Sequence, residues 1–524
     1  MNRIVLVYPP YQFIPPTAWP PLCPPLVIAH LHAALEAAQA GQVVSLDLDL
    51  EHSQHATQNV DTLVEQDSQR ILGFDPTIIA MSCKTAQFPF AALLTRSLKQ
   101  QKPEARVVMG GWMPTLAPEQ TIRLSGCDAV VRGEGEKTLP ELAKRISEDK
   151  WSVPGVSYRT ADGRIVHNPN SSILTATELD SIPLPRYDAL PPITSYQPAR
   201  TNHAFTVEGS RGCANHQCIF CWNSTRNCDT SWRAKSPKRV TKELKYLYDN
   251  WGARLFFFSD DSFGAESTWL RGFTSAMRGT FRPGSIAYIA SMRVDSIIGK
   301  GIALSDLYQS GLRTIFHGVE SGSPQMWSIL GKNYEPTITR ERILDMASKE
   351  LAAGIVPIFS FMIGLPNETE QDLNATVSMC DQLARLGSLF AFHILAPYQG
   401  TELYERHKNL IESKDMIKEF GESEGFLPEF HKVFGSRLDE FTDYLPDYHW
   451  VHPTVPLETF GQKYHVLDRI VSSEQMSPYK QYDLQRHPEA ESQIKQDLEQ
   501  RAKLTAGNKL KAALRSLRGG KGKR

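Results

Sequence analysis

The chain has 524 residues, 41% of them apolar and 22% charged. That is ordinary for a globular protein and too long for a single core, so two or three domains are expected. A formal net charge of −1 excludes a global field that would gather nucleic acid or an acidic membrane surface.

No uninterrupted apolar run approaches the roughly 20 residues of a membrane span. The opening run up to Pro10 is too short in apolar residues to read as a signal peptide. Residues 3–8 read as a buried strand, followed by a proline-rich turn to Pro25. A helix follows, with apolar spacing at Leu26, Ile28, Ala29, Leu31 and Leu35, ending near Gly41. Further strands are expected at 43–48, 78–82, 106–111 and 129–136, the last followed by a helix after Lys137. Strand and helix alternate, so residues 1–150 are expected to form a doubly wound, Rossmann-like parallel sheet. Ligands on such sheets sit at the carboxyl ends of the strands, which here carry Ser82, Thr85, Gly110, Gly111, Gly133 and Gly135. Groups this small would let a large flat ligand reach the backbone, although each glycine alone is explained by a tight turn.

Residues 151–200 read as a connector holding a hairpin around Asp162-Gly163, then the extended Ile182-Pro183-Leu184-Pro185. From residue 203 the alternation resumes. Strands are expected at 204–207, 254–259, 285–291, 314–318, 356–363 and 389–395, with helices between them such as 242–250 and 338–353. Six β/α units within 201–400 predict a partial (β/α)6 barrel of TIM type, with catalytic residues at the carboxyl ends of its strands. Those ends carry Asp260-Asp261, Arg293, Glu320-Ser321 and Gly364. Residues 401–524 read as a mainly helical, substrate-facing extension. It holds an aromatic- and histidine-rich stretch at 426–452 and a basic tail from Lys503 to Arg524.

Of eight cysteines, only Cys213, Cys218 and Cys221 are clustered, with Cys228 nearby. That usage suits a reducing cytoplasm and a metal site. Three thiolates within nine residues, after the turn Ser210-Arg211-Gly212, form a ligand set for a soft metal centre, and their odd number argues against disulfides. Three ligands leave one iron of a 4Fe–4S cube open. A structural zinc would need a fourth ligand, for which His216 and Cys228 are nearest. The spacing leaves both readings open.

Other motifs bear on the choice. They are Tyr8-Pro9-Pro10, Pro24-Pro25-Leu26, Gly110-Gly111 and Gly133-Glu134-Gly135-Glu136, then Ser291-Met292-Arg293-Val294-Asp295 and Gly318-Val319-Glu320-Ser321-Gly322-Ser323. Gly364-Leu365-Pro366-Asn367-Glu368-Thr369 and Pro397-Tyr398-Gln399-Gly400-Thr401 complete the series. In this order, over roughly residues 1–405, they resemble the radical S-adenosylmethionine (SAM) superfamily, in its branch with an N-terminal cobalamin-binding domain. The resemblance makes the zinc reading remote. It implies that Cys213, Cys218 and Cys221 hold a 4Fe–4S cluster and that SAM completes the open iron, to be cleaved to a 5′-deoxyadenosyl radical. Phe220 would pack near the adenine and Trp222 would shield the cluster. Glu320 and Ser321 would take the SAM amine or ribose, Arg293 its carboxylate, and the strand ending at Gly364 would run beside the adenine. Cobalamin would lie on Ser82, Thr85, Gly110, Gly111, Gly133, Glu134 and Gly135.

Two departures stand out. The cluster motif is Cys213-x4-Cys218-x2-Cys221, one residue longer than usual, and the extra residue is expected to bulge outward. The first loop lacks an Asp-x-His-x-x-Gly element, so cobalamin is expected without a protein histidine on cobalt. His30 and His32 are expected as partly exposed helix residues, and Cys228 as a free buried thiol. The resemblance implies a cobalamin-dependent C-methyltransferase acting on an unactivated carbon of a small molecule, served by an electron donor of flavodoxin or ferredoxin type. The alternative is a cyclase or rearrangement enzyme with the same cofactors; more remote is a non-catalytic cobalamin- or metal-binding regulator. No nucleic-acid partner is expected.

Overall fold

The computed structural model describes residues 2–10, 22–53, 58–146, 150–197, 202–332, 334–335, 337–413, 433–445, 449–451 and 454–472. Phe430, His431, Tyr448 and His452 of the aromatic stretch, and the basic tail, lie outside the described residues.

The first sheet is built from β1 (Arg3–Tyr8), β2 (Gln42–Asp47), β3 (Ile78–Ser82), β4 (Arg106–Gly110), β5 (Ala129–Val131), β6 (Val156–Arg159) and β7 (Ile165–His167). Their order is β2-β1-β3-β4-β5-β6-β7. The first five strands are parallel, in the doubly wound order that opens a crevice at the carboxyl ends of β1 and β3. Residues such as Val5, Leu6, Ile79 and Val107 are fully buried because helices cover both faces, which is why these strands are continuous apolar runs. The hairpin expected in the connector adds β6 and β7 to this sheet as antiparallel edge strands. Strand β5 stops at Val131, short of the expected 136. Gly133 takes a positive φ of 75° and the next helix, Gly135–Ile146, starts two residues later. His30 and His32 depart from expectation: both are buried, because the helix Leu26–Ala37 is packed on two sides.

The chain passes from β8 (His203–Val207) through β9 (Ser210–Arg211) and β10 (Arg233–Ala234), an antiparallel pair, into β11 (Ala253–Phe258). Strands β12 (Ala287–Ser291), β13 (Leu312–Glu320), β14 (Val356–Ile363) and β15 (Leu389–Ile394) complete a second sheet in the order β15-β14-β13-β12-β11-β8. All six strands are parallel and the sheet is open, the expected partial barrel. A buried pair fastens its outer layer. His317 on β13 meets Glu350 of the helix Arg340–Ala352 at 3.0 Å while its other ring nitrogen faces the Met292 carbonyl at 3.0 Å. The helix Leu457–Ser472 closes against β15 through Phe392 and Tyr464.

One hydrophobic core runs through both sheets. The connector stitches them together: Tyr196 donates to Asp47 at 2.8 Å, and Tyr187 to the Thr206 carbonyl at 3.1 Å. No helix among the described residues is long and apolar enough to cross a membrane.

Candidate active site

The cysteine loop leaves the carboxyl end of β8 and is closed on three sides. Gly212 has a φ of 72°, and a Cβ there would strike the Thr230 and Ser231 carbonyls; one at Gly331 would strike the Gln217 carbonyl. Ile219 N–H donates to the Leu330 carbonyl and Leu403 N–H to the Ile219 carbonyl. The segment between Cys213 and Cys218 does not simply bulge outward. Ala214, His216 and Gln217 are exposed, but Asn215 turns inward. Its backbone N–H faces Cys213 Sγ at 3.4 Å, and its amide nitrogen lies 3.3 Å from Cys218 Sγ, 2.9 Å from the Gly331 carbonyl and 2.7 Å from the Lys332 carbonyl. Asn223 offers its amide to Cys221 Sγ at 3.6 Å.

Burial raises all three thiols, Cys221 to about 12. They would ionise only against a cation, and metal binding releases their protons. N–H groups aimed at buried sulfurs are the surroundings an iron–sulfur cluster needs. The residues therefore fit the cluster. Among the described residues, no three of His, Cys, Asp or Glu are gathered as a single metal ion would require.

Beside the loop stands Glu320, the last residue of β13, with a φ of 69°. Its carboxylate meets Lys332 Nζ at 2.9 Å and accepts from Ser360 Oγ at 3.2 Å, while Lys332 also donates to the Gly318 carbonyl at 2.6 Å. Burial alone would lower the Lys332 ammonium; Glu320 outweighs it and holds the group well above its ordinary range. Arg293 is tied to Asp295 at 2.7 Å and to the Lys332 carbonyl at 3.0 Å, and lies over the Tyr334 ring. Ser321 departs from the expected SAM-facing role. It is fully buried, with Thr376 Oγ1 at 3.1 Å and the Ser323 N–H donating to it, so its hydroxyl is spent inside the fold. Gly364 has a φ of 77° and donates to Glu368 at 2.9 Å. Phe220 packs on a small core containing Met326, Leu330, Met362 and Leu365. Asn215, Lys332 and Tyr334 were not anticipated. Asn215 is one of the unspecified positions of the cysteine motif and Lys332 and Tyr334 belong to none; they become significant only where Gly331 and Lys332 meet the cysteine loop.

A cavity of about 650 Å³ opens between the strand ends of the first sheet and the cysteine loop. Ser82, Gly110, Gly111, Gly133, Glu134 and Gly135 line it, and Thr85 does not. Not all of these glycines serve a ligand. A Cβ on Gly111 (φ 96°) would lie 2.5 Å from the Cys83 carbonyl oxygen, so the backbone itself excludes a side chain there, whereas one on Gly135 would meet only the end of the Leu31 side chain, at 2.8 Å. Gly111→Ala should therefore cost about 1–3 kcal/mol in chemical denaturation and weaken retention of cobalamin by the purified protein.

Glu134 does not point at a ligand either. It pairs with Arg211 at 3.1 Å and with Arg233, and accepts the Leu174 N–H. Arg211 also holds Glu136 at 2.6 Å and Glu208 at 2.8 Å, so one guanidinium ties the turn after β5 to the start of the cysteine loop. Against its burial, Arg211 and Lys235 hold the Glu208 carboxyl down at about 2. Cys228 is half-buried and lines the cavity beside Gly133, more open than expected; burial pushes its thiol to about 11.

Trp222 belongs to the cavity wall. It stacks on Trp112, ring centres 5.0 Å apart and planes at 24°, and directs Nε1 to Asp261 Oδ1 at 3.3 Å. The neighbouring Asp260 is buried and accepts from Gly209 N at 2.9 Å and Ser210 Oγ at 2.5 Å. Burial nevertheless raises its carboxyl from 3.8 to about 7. The folded state then binds the proton more tightly than the unfolded chain, so this contribution to stability is present below about pH 4 and lost as pH rises through 7. The difference corresponds to at most about 4 kcal/mol. Asp260→Asn should flatten that part of the curve, read as thermal midpoints at pH 5 and pH 8.

Comparison with known proteins gives a consistent result. A family profile described as the B12 binding domain matches residues 20–143, and one for the radical SAM superfamily matches residues 207–380. An uncharacterised methyltransferase of Pyrococcus horikoshii is 30% identical over 411 residues, covering 77% of this chain and 82% of that protein. The anaerobic magnesium-protoporphyrin IX monomethyl ester cyclase of Synechocystis is 26% identical over 349 residues, with 65% of each chain covered. Among solved structures, the radical SAM methyltransferase TsrM of Kitasatospora setae, with cobalamin and a [4Fe-4S] cluster bound, aligns with a TM-score of 0.67. It is 16% identical, with 91% of this chain and 92% of that one covered. The cobalamin-dependent radical SAM enzyme OxsB aligns with a TM-score of 0.66 at 18% identity, covering 96% of this chain and 72% of that one.

Proposed function

The chain belongs to the radical SAM superfamily, in the branch that carries a B12-binding domain, and from that premise we propose that it is a C-methyltransferase acting on an unactivated carbon of a small molecule. It is a radical SAM enzyme whose cofactors are a 4Fe–4S cluster, SAM and cobalamin. One observation carries the finer reading. A single cavity is walled on one side by the strand ends of the B12-binding sheet and on the other by Gly212 and Trp222, the residues that flank the three cysteines, so a molecule bound there lies between the two cofactor-bearing segments.

When bound, the cluster and SAM supply hydrogen abstraction and the cobalamin supplies a methyl group. The chain's own residues position these groups. Cys213, Cys218 and Cys221 would hold the cluster, with Asn215 and Asn223 steadying the sulfurs. Glu320, Lys332 and Arg293 form a buried set of opposite charges beside Cys218, suited to the ammonium and carboxylate of a zwitterion.

The test is anaerobic incubation of the loaded enzyme with reductant, methyl-labelled SAM and a small-molecule metabolite pool. Label appearing in a product with 5′-deoxyadenosine supports methyl transfer. Deoxyadenosine with an unlabelled, altered product supports cyclisation or rearrangement instead, a reading favoured by the cyclase-named relatives. Absence of deoxyadenosine above background overturns both.

A further inference from the structure

We propose that the substrate carries a planar aromatic ring and an ammonium nitrogen, the ring laid on Trp112 and the nitrogen held by Asp261. This rests on the two-cofactor reading of the cavity. Trp112 is 50% exposed, the most open large hydrophobic side chain among the described residues. It follows Gly111 at the edge of the B12-binding sheet and stacks on Trp222, which follows Cys221 directly. The two indoles thus stand where the cofactor-bearing walls meet, and a carbon that must face both cofactors has to lie beside them. Stacking on Trp222 covers only part of Trp112, which lines the cavity while half of its surface stays exposed. An indole face takes aromatic rings and cations.

Asp261 supplies the second contact. It lines the same cavity, is only partly buried, and receives hydrogen bonds from Trp222 and Asn223. Of the other carboxylates that line the cavity, Glu134, Glu136 and Glu208 each pair with Arg211, Glu134 also with Arg233, and Asp229 accepts from Ser231; Asp49 lines it as well. No lysine or arginine among the described residues forms an ion pair with Asp261; Glu208 acts on it as a like charge and Arg233, more weakly, as an opposite one. Burial pushes its carboxyl up to about 6, so at neutral pH the site favours a cation brought by its occupant. A ligand ammonium meets that need, and its ring reaches the neighbouring indole.

Three matched probes separate the contacts: phenethylamine, cyclohexylethylamine, which lacks the flat ring, and phenylacetate, which inverts the charge. Binding is measured by calorimetry on anaerobically loaded enzyme with SAM present. Phenethylamine is expected to bind at least about tenfold more tightly than the other two. Asp261→Asn should erase the discrimination against phenylacetate. Trp112→Ala, or the milder Trp112→Phe, should shrink the advantage over cyclohexylethylamine. No binding, equal binding, or selectivity that survives both substitutions overturns the proposal. Iron content and cobalamin absorbance are read on each protein. Failure to load either cofactor defeats the two-cofactor reading itself, whereas loaded enzyme without selectivity defeats the substrate class alone.

Discussion

Cys218→Ala protein, loaded anaerobically with iron and sulfide, is expected to lose the visible absorbance of a cluster and to make at least about a thousandfold less 5′-deoxyadenosine from SAM. The reason lies in how few ligands the loop offers. His216 is exposed, and Cys228 sits across at the cavity wall beside Gly133, so neither stands in for a missing sulfur. Cys218 is also the most deeply buried of the three by exposed surface, with Lys332 and Arg293 near enough to favour its thiolate. Cys228→Ala is the control and should keep both cluster and cleavage. Asn215→Ala should fall between them. Removing a group that orients a metal ligand typically costs about ten- to a hundredfold, and here it also frees residues 331–332 from the loop. Cleavage that survives Cys218→Ala would remove this loop from the chemistry.

These contrasts show where the sequence was informative. Largely apolar runs at 78–82 and 356–363 marked strands β3 and β14 to the residue, because a strand covered on both faces is apolar at most positions. The cysteine spacing marked the loop, since ligands supplied by one short segment must be close in sequence. What stayed hidden depends on contacts between distant segments. Lys332 follows a six-residue helix and carries no motif, yet it meets Glu320 twelve positions away. Trp112 and Trp222 sit in short helical turns more than a hundred residues apart, one after β4 and one after the last cysteine of the loop. Ser321 and Glu134 lay in the right motifs but are turned to Thr376 and to Arg211, choices of rotamer and packing that spacing does not encode. Gly111 was noticed for the space it leaves, whereas the Cys83 backbone occupies that space.

Lys332→Met is expected to be the most damaging change outside the cysteine loop. The pair it breaks is almost wholly buried, and Glu320 is held at a positive φ that non-glycine residues rarely adopt. Such a conformation persists only where its surroundings enforce it. With the ammonium gone, the carboxylate keeps Ser360 as its one remaining partner among the described contacts, at 3.2 Å. Leaving a buried charge uncompensated costs about 3–5 kcal/mol, which chemical denaturation should register directly. Glu320→Gln should cost less, because the amide oxygen can still accept from Lys332, although the ammonium then lacks its counter-charge. The double variant Glu320→Gln/Lys332→Met removes both charges and should recover part of the loss, so the single effects should not add. Equilibrium binding of SAM to the loaded enzyme provides the functional measure. If the pair receives the SAM zwitterion, both single variants should bind it at least about tenfold more weakly, and the double variant should regain stability without regaining affinity. Recovery of stability and affinity together would make the pair a fastening of β13 to residues 331–332 and nothing more.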